Sequence, residues 1–271
     1  MGSGGRHDAP TLHLLGTIHR AHLQTRDHSL GHVKAAFDAV RPGLLLVEIE
    51  PQELARGNLA AGPFEMVYLA VTARREGVPV EGIDWIGAAL APPPSDAAIT
   101  DALEAELRTL DLRWPPSYAE AHLEDYVRRT QRVHEIRVRY VGDAGDGEWM
   151  RRNLWMAERV RRAVARHAAV CVLLAVGVEH LGILRDLLSR PPALACRLAP
   201  AVAAYPPEAY QAPPDVLAAW VAGLSVLQER IAALPLDDPM RTRLVEKQTY
   251  YRIAIEHKGI ARPNPSSAGG D

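Results

Sequence analysis

Short apolar runs alternate with helical periodicity along the first third of the chain. Residues 11–19, 44–49 and 78–83 are apolar runs of strand length, and apolar residues recur at helical spacing over 30–40 and 64–76. Near-continuous apolar strands that alternate with helices are typical of a parallel sheet covered on both faces. The pattern therefore predicts an α/β fold with a mainly parallel sheet flanked by helices.

The pattern changes across residues 86–145, which are rich in charge and contain no strand-like run. Three consecutive prolines at 92–94 interrupt the chain, and helical spacing follows over 96–110 and 118–140. The glycine-rich stretch 142–147 predicts a loop. We expect a helical insertion that forms one wall of a pocket or a lid over the edge of the sheet.

The rest of the chain returns to the sheet and then becomes helical. An amphipathic helix is predicted over 148–167, and strands over 170–176 and 196–198. Helical spacing also covers 213–258, with a break at 235–239 where two prolines occur. These elements complete the predicted sheet and add a set of C-terminal helices.

A single α/β domain over residues 11–262 accounts for all of these elements, with polar and disordered ends at 1–10 and 263–271. The long C-terminal helices offer a surface for a second subunit, so a homodimer is one option. The two cysteines, Cys171 and Cys196, lack the spacing of a zinc site. Cys171 lies in an apolar run, which predicts a buried free thiol.

The composition of the chain does not favour a protein that binds nucleic acid or a membrane surface. The hydrophobic fraction is 48%, the charged fraction is 24% and the formal net charge is -2, which are ordinary values for a soluble globular protein. Such a balance gives no electrostatic case for binding nucleic acid or an anionic membrane. The sequence shows no signal-peptide pattern, and we expect no membrane-spanning segment and a cytoplasmic location.

Two glycine-x-x-histidine turns follow predicted strands. The first is GTIH, which ends at His19, and the second is GVEH, which ends at His180. Glycine permits a sharp turn and a close approach of ligand to backbone, and ligands bind at the carboxyl ends of strands in open α/β sheets. The two histidines are therefore predicted to converge at one edge of the sheet. The alternative is that each only makes local hydrogen bonds at a strand end.

Two glutamates lie two residues apart at the end of the second predicted strand. Glu48 lies within its apolar run, and Glu50 lies at its end before Pro51, where a solvated role is expected. A buried carboxylate is costly unless it is paired, protonated or bound to metal. Glu48 is therefore a candidate metal ligand or general base, or the partner of an arginine such as Arg152.

Imidazole and carboxylate donors on three predicted strands suggest a metal. His19, Glu48 and His180 are a normal ligand set for a divalent ion such as Mn, Co or Zn at a catalytic site. A metal held there would lower the pKa of a bound water and polarise a carbonyl group.

Four further polar residues are candidates for supporting roles. Arg152 and Asn153 begin the helix that precedes the second GxxH strand, where they could orient substrate or stabilise negative charge, or simply form a solvated first turn. Asp84 could be a ligand, a partner of a histidine or a helix N-cap. Glu179 precedes His180 and is more naturally directed elsewhere.

Four segments of the chain resemble the TraB/Tiki group of the erythromycin-esterase/ChaN-like superfamily. They are LLGTIH, VEIEP, RRNLWMAERV and AVGVEHLGILRDLL, in that order. The group is described by two GxxH motifs, an acidic residue on the second strand and an Arg-Asn pair before the second GxxH strand. The resemblance covers the first three strands and about 148–200. It implies functional roles at His19, Glu48, Arg152, Asn153 and His180.

The resemblance implies a hydrolase. Tiki-like members are metal-dependent proteases with Mn or Co, erythromycin-esterase relatives hydrolyse a lactone, and ChaN-like relatives bind haem. We therefore expect a bacterial metal-dependent hydrolase, peptidase-like, acting on a peptide or another amide or ester. The alternatives are a non-hydrolytic tailoring enzyme in peptide or natural-product biosynthesis, a haem-binding protein and a non-catalytic interaction module.

Overall fold

The computed structural model describes residues 10–59, 62–85, 97–169 and 171–260. The ends predicted to be disordered, apart from Pro10, and the prolines at 92–94 lie outside the described residues.

Five strands form a single sheet in which every pairing is parallel. The spatial order is β3-β2-β4-β1-β5, which confirms the predicted α/β fold. The strands are β1 (Thr11–Thr17), β2 (Leu44–Val47), β3 (Val80–Gly82), β4 (Cys171–Gly177) and β5 (Ala195–Leu198).

Helices cover both faces of this sheet, so the apolar strands are buried on both sides. The helices that precede the second GxxH strand are α1 (Leu30–Val40), α2 (Pro51–Ala55), α3 (Phe64–Arg75), α4 (Ala97–Arg108), α5 (Tyr118–Ala121), α6 (Glu124–Gly145) and α7 (Trp149–His167). Those that follow it are α8 (Leu181–Leu188), α9 (Pro207–Tyr210), α10 (Pro214–Ala233) and α11 (Pro239–Glu256).

The strand register places the two GxxH turns side by side. β4 lies between β1 and β2, and Thr17 on β1 is opposite Gly177 on β4. On the other side, Val47 at the end of β2 is opposite Ala175. Because parallel strands end at the same edge, His19, Glu48 and His180 leave the sheet within one small region.

The described part of the insertion, from residue 97, is mainly helical, as predicted, but its end differs from the prediction. The stretch 142–147 was expected to be a loop, whereas α6 runs on to Gly145. Gly142 adopts φ +71°, so it kinks the helix and the helical path then resumes. α6 packs against α7 and α8, on the side of the sheet where His180 lies.

The C-terminal helices bear on two expectations. The predicted break is confirmed, because α10 ends at Ala233 and α11 begins at Pro239. By length and composition alone, however, α10 is one helix of the described chain that could cross a membrane, whereas no such segment was expected. In the structure α10 packs on α3 and α11, and its Trp220 is fully buried and donates a hydrogen bond to the carbonyl of Phe64, 2.9 Å away.

Both cysteines are free and partly exposed. Cys171 is less buried than its apolar surroundings predict, because it lies at the start of β4 rather than in its centre.

Candidate active site

His19 stands at the start of a short 3₁₀ turn directly after β1. Its φ of +46° is in the left-handed region, a conformation that a residue other than glycine adopts at a cost. Its Nδ1 lies 2.7 Å from Oε1 of Glu65, a fully buried side chain in the first turn of α3. Thr17 donates to the same oxygen at 3.1 Å. The ring of His19 is thereby held with Nε2 free to face the sheet edge.

The charge of His19 depends on this carboxylate. Burial favours the neutral ring, but the carboxylates of Glu65 and Glu48 outweigh burial and raise the pKa of His19 to about 9. The same pairing lowers the pKa of Glu65 against the effect of its own burial. In the metal-free protein at neutral pH, His19 and Glu65 therefore form an imidazolium–carboxylate pair.

Glu65→Gln is expected to lower the pKa of His19 from about 9 toward its ordinary value, because the largest source of stabilising negative charge is removed. The measurement is an NMR titration of the His19 ring, assigned by comparison with His19→Gln. Glu246→Gln is the matched control, since Glu246 pairs with Arg20 rather than with His19. An unchanged titration in Glu65→Gln would show that Glu65 does not set the charge of His19.

His180 follows β4, and its ring is held in place by residues of α7. Its Nδ1 lies 2.7 Å from Oδ1 of Asn153, and the amide nitrogen of Asn153 donates to the carbonyl of Trp149 at 2.8 Å. Trp149 stacks on the His180 ring at a centroid distance of 4.2 Å, and His134 stacks on the opposite face of Trp149 at 3.5 Å. Burial, with the positive charge of Arg152, holds the pKa of His180 well below its usual range. His180 is therefore neutral, with the proton on Nδ1 and an open lone pair on Nε2.

Glu48 lies between the two histidines and is only 4% exposed. Its Oε2 is 3.9 Å from Nε2 of His19 and its Oε1 is 3.7 Å from Nε2 of His180. The backbone N–H of Gly177 donates to Oε2 at 2.7 Å, and Arg152 donates to Oε1 at 2.7 Å. The structure thus brings together the three candidate ligands, and it also contains the arginine pair that was the alternative for Glu48.

Arg152 joins two carboxylates from neighbouring strands. Besides Glu48, it contacts Asp84 through Nε and Nη2, at 2.8 and 2.9 Å from the two carboxylate oxygens. Asp84 also accepts from the backbone N–H of Trp85 at 2.7 Å. Burial opposes the charge of Arg152, but Asp84 and Glu48 outweigh it and raise the pKa of the guanidinium. Asp84, whose role was open, is thus a partner of Arg152.

A pocket of about 520 Å³ opens onto this edge of the sheet. His19, Glu48, Asp84 and Arg152 form its floor, whereas His180 and Asn153 are buried behind Glu48. Asn153 therefore contacts His180 and Trp149 rather than the pocket. The remaining lining residues are Ile18, Arg20, Pro63, Phe64, Trp114, Glu179, Arg243, Glu246, Lys247, Tyr250 and Tyr251.

The wall of this pocket comes largely from α11. The insertion was expected to form a wall of the pocket. Of its described residues, Trp114 lines the pocket. Glu179, whose role was open, lines the pocket as well, while Glu50 precedes α2 outside it.

Several residues of the site escaped the sequence-based prediction. Glu65 is the main one, although a lone acid in the apolar run PFEMVYLAV is a visible signal of a buried charge. Trp149 and His134 read as ordinary helix residues, and their stacking depends on how α6 meets α7. The α11 residues carry no local signal, because they approach the site only through the tertiary fold.

The donor types at this site fit a divalent metal. Both histidines are anchored at Nδ1 by a hydrogen-bond acceptor, which is how metal-binding histidines are ordinarily oriented. The spacing is wider than in a formed coordination shell, where neighbouring ligand atoms lie about 3.0–3.5 Å apart. Accordingly, no group of three or more His, Cys, Asp or Glu side chains in the described ranges is already arranged as a metal site.

Comparison of the chain with protein-family models, with curated proteins and with solved structures finds no match. The resemblance to the TraB/Tiki group therefore stays a prediction that depends on the four motif segments.

Proposed function

We propose that this protein is a hydrolase that attacks the carbonyl group of a peptide or of another amide or ester, with a divalent metal held by His19, His180 and Glu48. The observation that carries the proposal is the pair of Nε2 atoms directed at Glu48, 3.9 and 3.7 Å from its two oxygens. Each ring is locked at Nδ1 by a different acceptor. A metal at this position would supply a water of lowered pKa and a Lewis acid for the carbonyl oxygen.

The protein's own residues bind and orient the substrate. Arg152 presents a permanent positive charge on the pocket floor, where it stabilises negative charge that develops on the carbonyl oxygen. Asp84 holds this guanidinium in place through two contacts. The aromatic side chains Phe64 and Tyr250 line the pocket and exclude water beside the reacting group.

His19 differs from His180 in the proton it carries. His180 is neutral and already has its lone pair available, whereas His19 is protonated at neutral pH and would have to release the proton on Nε2 to become a ligand. Glu65 bonds to Nδ1 and would stabilise either form of the ring. Metal binding would therefore be accompanied by release of a proton.

The test is elemental analysis of protein loaded with Mn, Co or Zn, together with an activity screen on peptides and esters. We expect about one metal per chain in the wild type, and a loss of metal affinity of at least about 10–100-fold in both His19→Gln and His180→Gln. His167→Gln is the matched control, because His167 pairs with Glu81 at the far end of α7.

Metal retained in both site variants would overturn the ligand assignment. Hydrolysis that persists in the presence of a chelator would overturn the metal requirement and leave the His19–Glu65 pair as the acid–base group of a metal-free hydrolase. Circular dichroism and thermal melting of each variant show whether its fold is retained, so that metal loss through unfolding is recognised.

A further inference from the structure

The two cationic residues of the pocket wall formed by α11 have no role in the chemistry described above. Arg243, Lys247 and Tyr250 lie four and three residues apart and line the same pocket, so they share one face of the helix. The two cationic groups are therefore neighbours on a wall that faces the pocket floor.

Arg243 on this wall differs in its pairing from the other arginines and the histidine that line the pocket. His19 and Arg152 are held by the buried carboxylates described above, and Arg20 lies 3.7 Å from Glu246. For Arg243, no carboxylate oxygen lies within 4.0 Å of the guanidinium in the part of the chain that the structure describes. The acid Glu179 also lines the pocket, but it comes from the turn after β4 rather than from α11.

Two cations at this spacing repel one another. Burial lowers the pKa of Lys247 to about 8, with Arg230 acting in the same direction and Asp84, Glu65 and Glu48 in the opposite one. Burial also lowers the pKa of Arg243, against the attraction of Glu246 and together with the repulsion of Arg152. An anion seated between the two side chains would remove this repulsion and accept hydrogen bonds from both groups.

We propose that Arg243 and Lys247 bind a carboxylate of the substrate, so that the pocket takes peptides or related amides with their anionic end against α11. This assignment rests on the proposed hydrolase function, and it names the substrate class. The ring of Tyr250 on the same wall and that of Phe64 offer apolar contact to a side chain next to the carboxylate. Glu179 repels a second carboxylate on its own side of the pocket and so favours one direction of binding.

The experiment measures binding of small probes by isothermal titration calorimetry, with a chelator present and without turnover. N-acetyl-L-phenylalanine is expected to bind about tenfold more tightly than N-acetyl-L-phenylalaninamide, because a hydrogen bond to a charged group contributes more than one to a neutral group. This preference should disappear in Arg243→Gln and shrink in Lys247→Gln. Arg252→Gln, on the same helix but outside the pocket, is the matched control with the same change in net charge.

Equal binding of the two probes by the wild type would overturn the carboxylate site, and so would a preference that survives in Arg243→Gln. Phenyl phosphate bound more tightly than the carboxylate probe would overturn the choice of carboxylate in favour of phosphate. The binding measurement needs neither metal nor catalysis. A preference for the carboxylate probe in a protein that binds no metal would therefore contradict only the metallohydrolase proposal. Metal-dependent hydrolysis with no carboxylate preference would contradict only the α11 site.

Discussion

Replacing Arg152 with methionine is expected to lower the free energy of unfolding by about 3–5 kcal/mol. The guanidinium contacts Glu48 at 2.7 Å and Asp84 at 2.8 and 2.9 Å, and both carboxylates are only 4% exposed. Methionine keeps the length of the side chain and is a good helix former, so the change leaves two buried negative charges without their partner. The measurement is urea unfolding at pH 7.

Arg151→Met is the matched control, because the neighbouring arginine is exposed, pairs with Glu148 on the helix surface and lies over the ring of Trp85. We expect it to cost less than about 1 kcal/mol. Arg152→Met combined with Glu48→Gln and Asp84→Asn should recover about half or more of the lost stability, since a buried neutral set avoids the uncompensated charge. A small effect in Arg152→Met alone would mean that water reaches both carboxylates and that the floor of the pocket is not a buried ion cluster.

The sheet and the convergence of the candidate site residues at its edge could be predicted from local patterns. An apolar strand buried on both faces has a continuous signature, and helices between such strands require parallel pairing. Glycine-x-x-histidine at the ends of two such strands then places His19 and His180 at the same edge. The strand order puts β4 beside both β1 and β2, so Glu48 at the end of β2 lies close to the two histidines.

The orientation of each histidine could not be predicted, because it depends on side chains from other elements. His19 is fixed by Glu65 on α3, and His180 is fixed by Asn153 on α7 and by stacking on Trp149. Asn153 was expected to orient substrate, yet a helix pattern does not show which side chains meet across an interface.

The pocket wall was the least predictable part of the site. Arg243 and Lys247 are more than 190 residues away from Glu48 in sequence, and their approach depends on how α10 and α11 fold back over α3. On sequence pattern alone, α11 is a polar surface helix. The same limit applies to the end of α6. Its glycine-rich stretch predicts a loop, but the structure has a helix that is kinked at Gly142 and packs against α7 and α8.

Acid unfolding of the metal-free protein is expected to be steep, with the free energy of unfolding falling by about 4–5 kcal/mol per pH unit between about pH 6 and 4.5. Three buried histidines and the partly buried His122 are held in neutral form. Burial lowers the pKa of His22 and His122 to about 4, and it holds the pKa values of His28 and His180 well below their usual range.

Hydrogen bonds show why two of these rings resist protonation. Nε2 of His22 accepts from the backbone N–H of Ile18 at 3.1 Å, and Nε2 of His122 accepts from that of Gly16 at 3.0 Å. A proton on either Nε2 would displace its N–H donor and bury a positive charge. These residues lie beneath the first GxxH turn, so their protonation would disturb the strand end that carries His19.

The sign of the effect follows from the direction of each shift. A histidine whose pKa is lower in the folded state than its unfolded value of 6.5 contributes stability at high pH, and this contribution is lost as the pH falls from about 6.5 toward 4. His19 acts in the opposite sense, because its raised pKa contributes stability below pH 6.5 that is lost as the pH rises through about 9. For these five histidines together, stability should therefore be greatest near about pH 7, and a domain of ordinary stability should unfold near about pH 5.

Urea unfolding measured from about pH 5.2 to pH 9, with a chelator present, tests this expectation. His122→Gln keeps an acceptor for the N–H of Gly16 but removes one titrating ring, so the slope below pH 6 should fall by about 1.4 kcal/mol per pH unit. Leu23→Ala, a cavity in the same buried region, should lower stability at every pH and leave the slope unchanged. If His122→Gln also left the slope unchanged, or if the wild-type slope were that of a single group, these histidines would be protonated in the folded protein. The region under the first GxxH turn would then be open to water, and these histidines would not help to hold His19 in place.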